Sequence, residues 1–151
     1  MKNLYEPAAV EEVKSRIARL RPDSPRQWGS MNPAQTLAHC ALSMEWAVGE
    51  RVPESAPFPL RIVGRIIKPF VVRNDKPIRR NAPTAKELII RDERDLTTEQ
   101  VRLNKLIDRF AAVGPKGCTT HPHSFFGRLT PNEWAILTYK HLDHHLRQFS
   151  A

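Results

Sequence analysis

Cysteine is nearly missing from this chain, with only Cys40 and Cys118 in 151 residues. Neither has a partner at Cys-x-x-Cys spacing, which excludes that type of metal or redox motif. Glycine is sparse too, at six residues. No internal period recurs, which excludes collagen, solenoids and propellers. Long apolar runs are absent. The most apolar stretch, Pro59 to Val72, is broken by Arg61, Arg65 and Lys68, and a spanning helix needs about 20 apolar residues. No basic segment followed by an apolar one opens the chain. We therefore read no signal peptide and expect a cytoplasmic location with reduced thiols. Acidic residues are in deficit, at 16 against 24 Lys and Arg, for a formal charge of +8.

What remains is an ordinary globular composition, 40% hydrophobic and 26% charged. That is enough apolar surface to offset chain entropy, so the chain is not disordered. Its length fits a single domain over residues 1–151.

Four segments carry helical periodicity. Residues 7–21 open with Pro7, and Val10, Val13, Ile17 and Leu20 share one stripe. Residues 32–49 start with Asn32 and Pro33 and close on Gly49, and Glu45 is their only charge. Such a helix is buried on most sides. Residues 98–113 place Leu103, Leu106, Ile107, Phe110 and Val113 on one face before Gly114-Pro115. The last helix begins at the capping box Thr130-Pro131-Asn132-Glu133 and runs to about Phe149. The expected fold is all-α, an antiparallel four-helix bundle. Residues 50–97 would form a long crossover excursion between the second and third helices, too long for a simple up-down turn. Its prolines predict irregular structure, with a short basic helix over 60–68.

The last helix carries the sharpest chemical signal, His141-Leu142-Asp143-His144-His145. Residues four apart lie on one face, so His141 and His145 can aim two imidazoles at one point. On a helical wheel with His141 at zero, Trp134 falls at about +20° and Phe149 at about +80°. His145 falls inside that apolar arc, at about +40°, and His144 outside it, at about −60°. His141 and His145 are therefore assigned inward and His144 to the periphery, with His144 as a fallback in an i, i+3 pair. Asp143 points away from the arc. An open zinc site usually takes three protein ligands, and His39, mid-way along the nearly uncharged helix, is the natural third. A lone His there needs a polar partner, which a metal would supply. The bland alternative is a solvated His cluster near a helix C-terminus, where the macrodipole favours protonated His.

Other residues are less committed. His121 and His123 are read as a solvent loop, with an approach to the site as the alternative. Cys40 points about 100° away from His39 and reads as a small buried hydrophobe. Trp46 and Trp134 read as core that can also line a pocket. No general base stands out, and His123 and His144 are the available candidates. Residues 61–80 hold seven basic side chains (Arg61, Arg65, Lys68, Arg73, Lys76, Arg79, Arg80) against Asp75 alone. They read as a solvated face, a contact with acidic lipid, or an anion or nucleic-acid contact. No helix-turn-helix or zinc-finger spacing supports specific DNA reading.

Three stretches carry a family resemblance. They are Trp28 to His39 (Trp-Gly-Ser-Met-Asn-Pro-Ala-Gln-Thr-Leu-Ala-His), Phe125 to Trp134 (Phe-Phe-Gly-Arg-Leu-Thr-Pro-Asn-Glu-Trp) and Tyr139 to Phe149 (Tyr-Lys-His-Leu-Asp-His-His-Leu-Arg-Gln-Phe). With them the chain resembles the DinB/YfiT-like superfamily of metal-dependent helical bundles, in a branch described only as a domain of unknown function. The resemblance implies a divalent metal, zinc or nickel first and iron or manganese next, held by one His of the second helix and a His-x-x-x-His pair of the last. By position these are His39, His141 and His145. It also implies homodimers and, in some relatives, thiol-transferase or hydrolase chemistry. The leading expectation is thus a metal-dependent enzyme with a three-histidine site acting on a small-molecule substrate. The alternatives are a metal that only staples the bundle, and a non-catalytic basic protein contacting nucleic acid or an acidic membrane surface, its histidines structural.

Overall fold

Proline and capping side chains set where the helices begin. In the computed structural model, which describes residues 1–151, α1 spans Pro7–Arg19, α2 Pro33–Ala47, α3 Phe58–Val72, α4 Leu96–Val113 and α5 Pro131–Arg147. The chain is all-helical, and its only extended pairing is one bridge between His123 and Gly127. Asn32 accepts from the Gln35 amide at 2.9 Å while the Gln35 side chain accepts from the Asn32 amide at 3.1 Å. Thr130 and Glu133 form the same reciprocal box at α5. Each box satisfies amides that a helix start leaves without partners. Asp95 caps α4 by accepting from the Thr98 amide at 2.7 Å, so the helix starts at Leu96, two residues before the start that periodicity predicts.

The helix α3 is the main departure from the sequence reading. The excursion is not irregular throughout: it holds a fifth helix of 15 residues, longer than the short basic helix expected at 60–68. Pro59 falls in its first turn, where a missing N–H costs nothing, and Pro69 falls near its end.

Four helices pack in a ring, α2 against α4 and α5, and α1 against the same two. Val13, Ile17, Leu37, Met44, Leu103, Ile107, Phe110, Trp134 and Leu142 fill the space between them. Glu45, the lone charge of α2, turns to Arg102 of α4 and to Arg51. α3 lies outside this ring and touches only α5 among the helices. Its Gly64 rests on the carbonyl of Phe125, where a Cβ would overlap that oxygen. Lys68 anchors it to Glu133 at 3.2 Å.

Candidate metal centre

α2 and α5 run antiparallel with one face of each turned to the other. His39 meets His141 and His145 at ring-centroid distances of 4.9 and 4.5 Å. Two turns further along each helix, Trp46 and Trp134 meet across His123. The pairing of 39 with 141 and of 46 with 134 fixes the opposed direction.

The ligand-capable atoms of His39, His141 and His145 lie within 4.8 Å of one another. His39 and His145 are buried, and His141 keeps part of its surface open. The Nδ1 of His39 donates to the Leu88 carbonyl at 2.8 Å. The Nδ1 of His145 donates to Gln148 Oε1 at 2.7 Å. Each bond leaves a lone pair on the Nε2 of the neutral ring, the atom free to take a metal. The His39 Nε2 stands 2.9 Å from the His141 Nε2. Two lone pairs cannot face each other at that distance, so a proton or a cation must lie between them. Two nitrogens on a tetrahedral zinc at about 2.05 Å would be about 3.3 Å apart. For this pair a side-chain shift of a few tenths of an ångström gives that spacing, and His145, within the 4.8 Å span of the cluster, would move inward by an ångström or more through its side-chain rotamer to join them. The donor set, three neutral imidazoles, fits a divalent ion.

Electrostatics favour the same state. Burial, more than any other cause, holds His39, His141 and His145 below the ordinary imidazole range. The neighbouring imidazoles push His141 down further, His145 first and then His39, His144 and His123. The three rings are therefore neutral at pH 7, as nitrogen ligands must be.

One sequence reading is refined and one needs correction. His144 lies at the periphery of the cluster, as the wheel expects, without being solvated. It stays outside the ligand trio but is buried at 7% exposure, bonded through Nδ1 to the Ile78 carbonyl at 3.2 Å and packed on Trp28. His123 does not sit in a solvent loop. It lies between Trp46, Trp134 and Phe126. Its Nδ1 accepts from the amides of Phe125 and Phe126 at 3.1 and 3.3 Å, and burial pushes its pKa down to about 4. His121 is exposed. Asp143 does turn away from the trio, pairing with Arg16 at 2.8 Å and Arg147 at 2.9 Å. Cys40 is buried and Cys118 partly so, and both are free thiols.

Gln148 and the Leu88 carbonyl escaped the sequence reading. Gln148 had a usable signal, because it lies three residues after His145 on the same helical face. Its position depends on Gly29. At φ +86° this glycine approaches so closely that a Cβ would stand 2.6 Å from Gln148 Nε2. The Leu88 contact has no local signal, since it comes from a short 3₁₀ turn at Lys86–Leu88, 49 residues away.

Residues 4–151 match the model of a family described as "Protein of unknown function (DUF1569)". The chain belongs to this family. The match covers nearly every residue and includes all three histidines of the cluster. No curated protein and no solved structure matches the chain. The chemistry of this DUF1569 member must therefore be argued from its own side chains.

Proposed function

We propose that this chain is a divalent-metal-dependent enzyme of the DinB/YfiT type, with His39, His141 and His145 as the ligands. One observation carries the reading. Three neutral imidazoles from two helices converge, and two of them are already oriented through Nδ1 by a carbonyl and a carboxamide. That is how proteins orient metal-binding histidines. The ring of α1, α2, α4 and α5 supports a four-helix bundle, an architecture that builds metal sites on facing helices. Zinc or nickel suits three imidazoles best, with iron or manganese next.

A divalent ion on three neutral ligands keeps its full charge and acidifies water or a thiol toward neutral pH. The chain's own residues define the rest. His39 and His145 are fixed in the tautomer that presents Nε2. Trp46 and Trp134, both buried, keep the far end of the cleft dry. His141 lies on the open side, where a small substrate has access. The chemistry supported is hydrolysis or thiol transfer on a small molecule.

Metal analysis of untagged protein should give close to one divalent ion per chain. His141→Ala should reduce this to background, and metal retained by that variant overturns the ligand set. The cobalt-substituted protein should change its visible spectrum when a small thiol is added. An unchanged spectrum would leave the metal as a structural staple and overturn the enzymatic reading.

A further inference from the structure

α3 is amphipathic in the opposite sense to the other helices. On a wheel with Val63 at zero, Leu60, Ile62, Val63, Ile66, Ile67 and Phe70 fall within an arc of about 160°. All six side chains are exposed, Ile66 at 63% and Phe70 at 71%. Phe58, at the start of the same helix, is 70% exposed. No charge falls inside the arc. The opposite side carries Arg61, Arg65 and Lys68 and holds the contacts with the rest of the chain, through Gly64, Val72 and the Lys68 ion pair. The helix thus turns its basic side toward the protein and an uncharged apolar face about 15 Å long, from Leu60 to Phe70, toward the outside.

Charge decides what covers this face. Residues 61–80 carry seven basic side chains and one acid, and only Lys68 among them pairs with a carboxylate. Pairing two copies through α3 would bring two such segments to within about one Debye length, roughly 8–10 Å. A nucleic acid would satisfy the charge but leave the apolar face in water. A surface that is anionic in its outer layer and apolar just beneath satisfies both. No helix here is long and apolar enough to cross a membrane, so the geometry is that of a helix lying in the plane of an interface.

We infer that α3 docks this protein on the surface of an anionic phospholipid bilayer, with Ile66 and Phe70 entering the acyl boundary and the exposed Arg73, Lys76 and Arg79, which follow the helix and pair with no carboxylate, held at the headgroups. The inference does not depend on the metal.

Cosedimentation of the full chain with vesicles tests it. Equal parts of phosphatidylcholine and phosphatidylglycerol should bind the protein, with about ten-fold or greater weakening on pure phosphatidylcholine and a further fall as salt rises. Ile66→Asp should weaken binding to the anionic vesicles about ten-fold or more while leaving the helical circular dichroism unchanged. Phe70→Ser should do the same to a smaller degree. Lys76→Glu with Arg79→Glu should weaken it several-fold without touching the apolar face. Failure to bind anionic vesicles overturns the proposal, as does equal binding to both vesicle types or binding insensitive to Ile66→Asp. A dimer in sedimentation equilibrium that Ile66→Asp dissociates, with no vesicle binding, overturns it in favour of a second copy.

Discussion

The cleft between α2 and α5 and the outer face of α3 both break the rule that apolar groups go inside and polar groups outside. They break it in opposite directions. The cleft buries imidazoles, and α3 exposes isoleucine and phenylalanine. The difference lies in compensation. In the cleft the chain supplies partners: Leu88 for His39, Gln148 for His145, Ile78 for His144, and the Phe125 and Phe126 amides for His123. On α3 nothing in the chain covers Leu60, Ile66 or Phe70. In the cleft the chain orients its buried rings and leaves only the Nε2 atoms at the centre open, room for no more than an ion, whereas on α3 a whole face is left without a partner and points to an extended surface outside the molecule.

The largest effect expected of pH tests how dry the cleft is. His123 has its pKa lowered from 6.5 to about 4 by burial. Between those values the unfolded chain carries a proton on this residue and the folded chain does not. Stability therefore falls as pH drops from 6.5 to about 4 and levels off below. The loss attributable to His123 is about 3 kcal/mol. The three ligand histidines, also depressed by burial, add to it in the same direction. Denaturant midpoints of metal-free protein at pH 7 and pH 4.5 measure the drop. His123→Phe, which keeps the aromatic packing, should remove a large part of it. A flat profile would mean that water reaches these rings and that the contrast with α3 is illusory.

How much of this was legible depends on whether the signal is local. The starts of α2 and α5 were written in Asn32 and in Thr130 with Glu133, because capping bonds span only three residues. The facing of His141 and His145 was written in the wheel of one helix, and His39 in the near absence of charge around it. The wheel of α5 places His144 outside the trio but shows only the polarity of its own neighbours, so its burial is not legible there. The Ile78 carbonyl and Trp28 that bury it arrive from distant segments. His123 was misjudged for the same reason, since Trp46 and Trp134 are far from it in sequence. The length of α3 was hidden by Pro57, Pro59 and Pro69, which read as breakers along the chain. In space the first two occupy the cap and first turn, where proline is tolerated.

A smaller effect sharpens the claim that the chain itself orients the rings of the cleft. Gln148→Leu keeps the shape of the side chain and the backbone carbonyl that accepts from Gln27 at 2.7 Å. It removes the acceptor for His145 Nδ1. His145 then loses its fixed tautomer and orientation. The metal dissociation constant, measured by competition with a chromophoric chelator, should rise about 10–100-fold. Thermal stability of the metal-free protein should change far less. If affinity is unchanged, the orienting bond is incidental and the trio is held by packing alone.

The smallest effect is the most direct test of the opposite half of the comparison. Ile66 is 63% exposed and Ile107, in α4, is fully buried. An aspartate at 107 would put an unpaired carboxylate into the core, and a loss above about 4 kcal/mol follows from desolvation alone. The same change at 66 leaves the carboxylate in water beside Arg65 and exchanges an exposed apolar group for a hydrated one. Its cost should stay within about 0.5 kcal/mol in urea unfolding of the isolated protein. An apolar face that contributes nothing to the stability of its own chain is held for a partner. A cost at 66 approaching that at 107 would show that α3 folds inward in solution and that its face is part of the core.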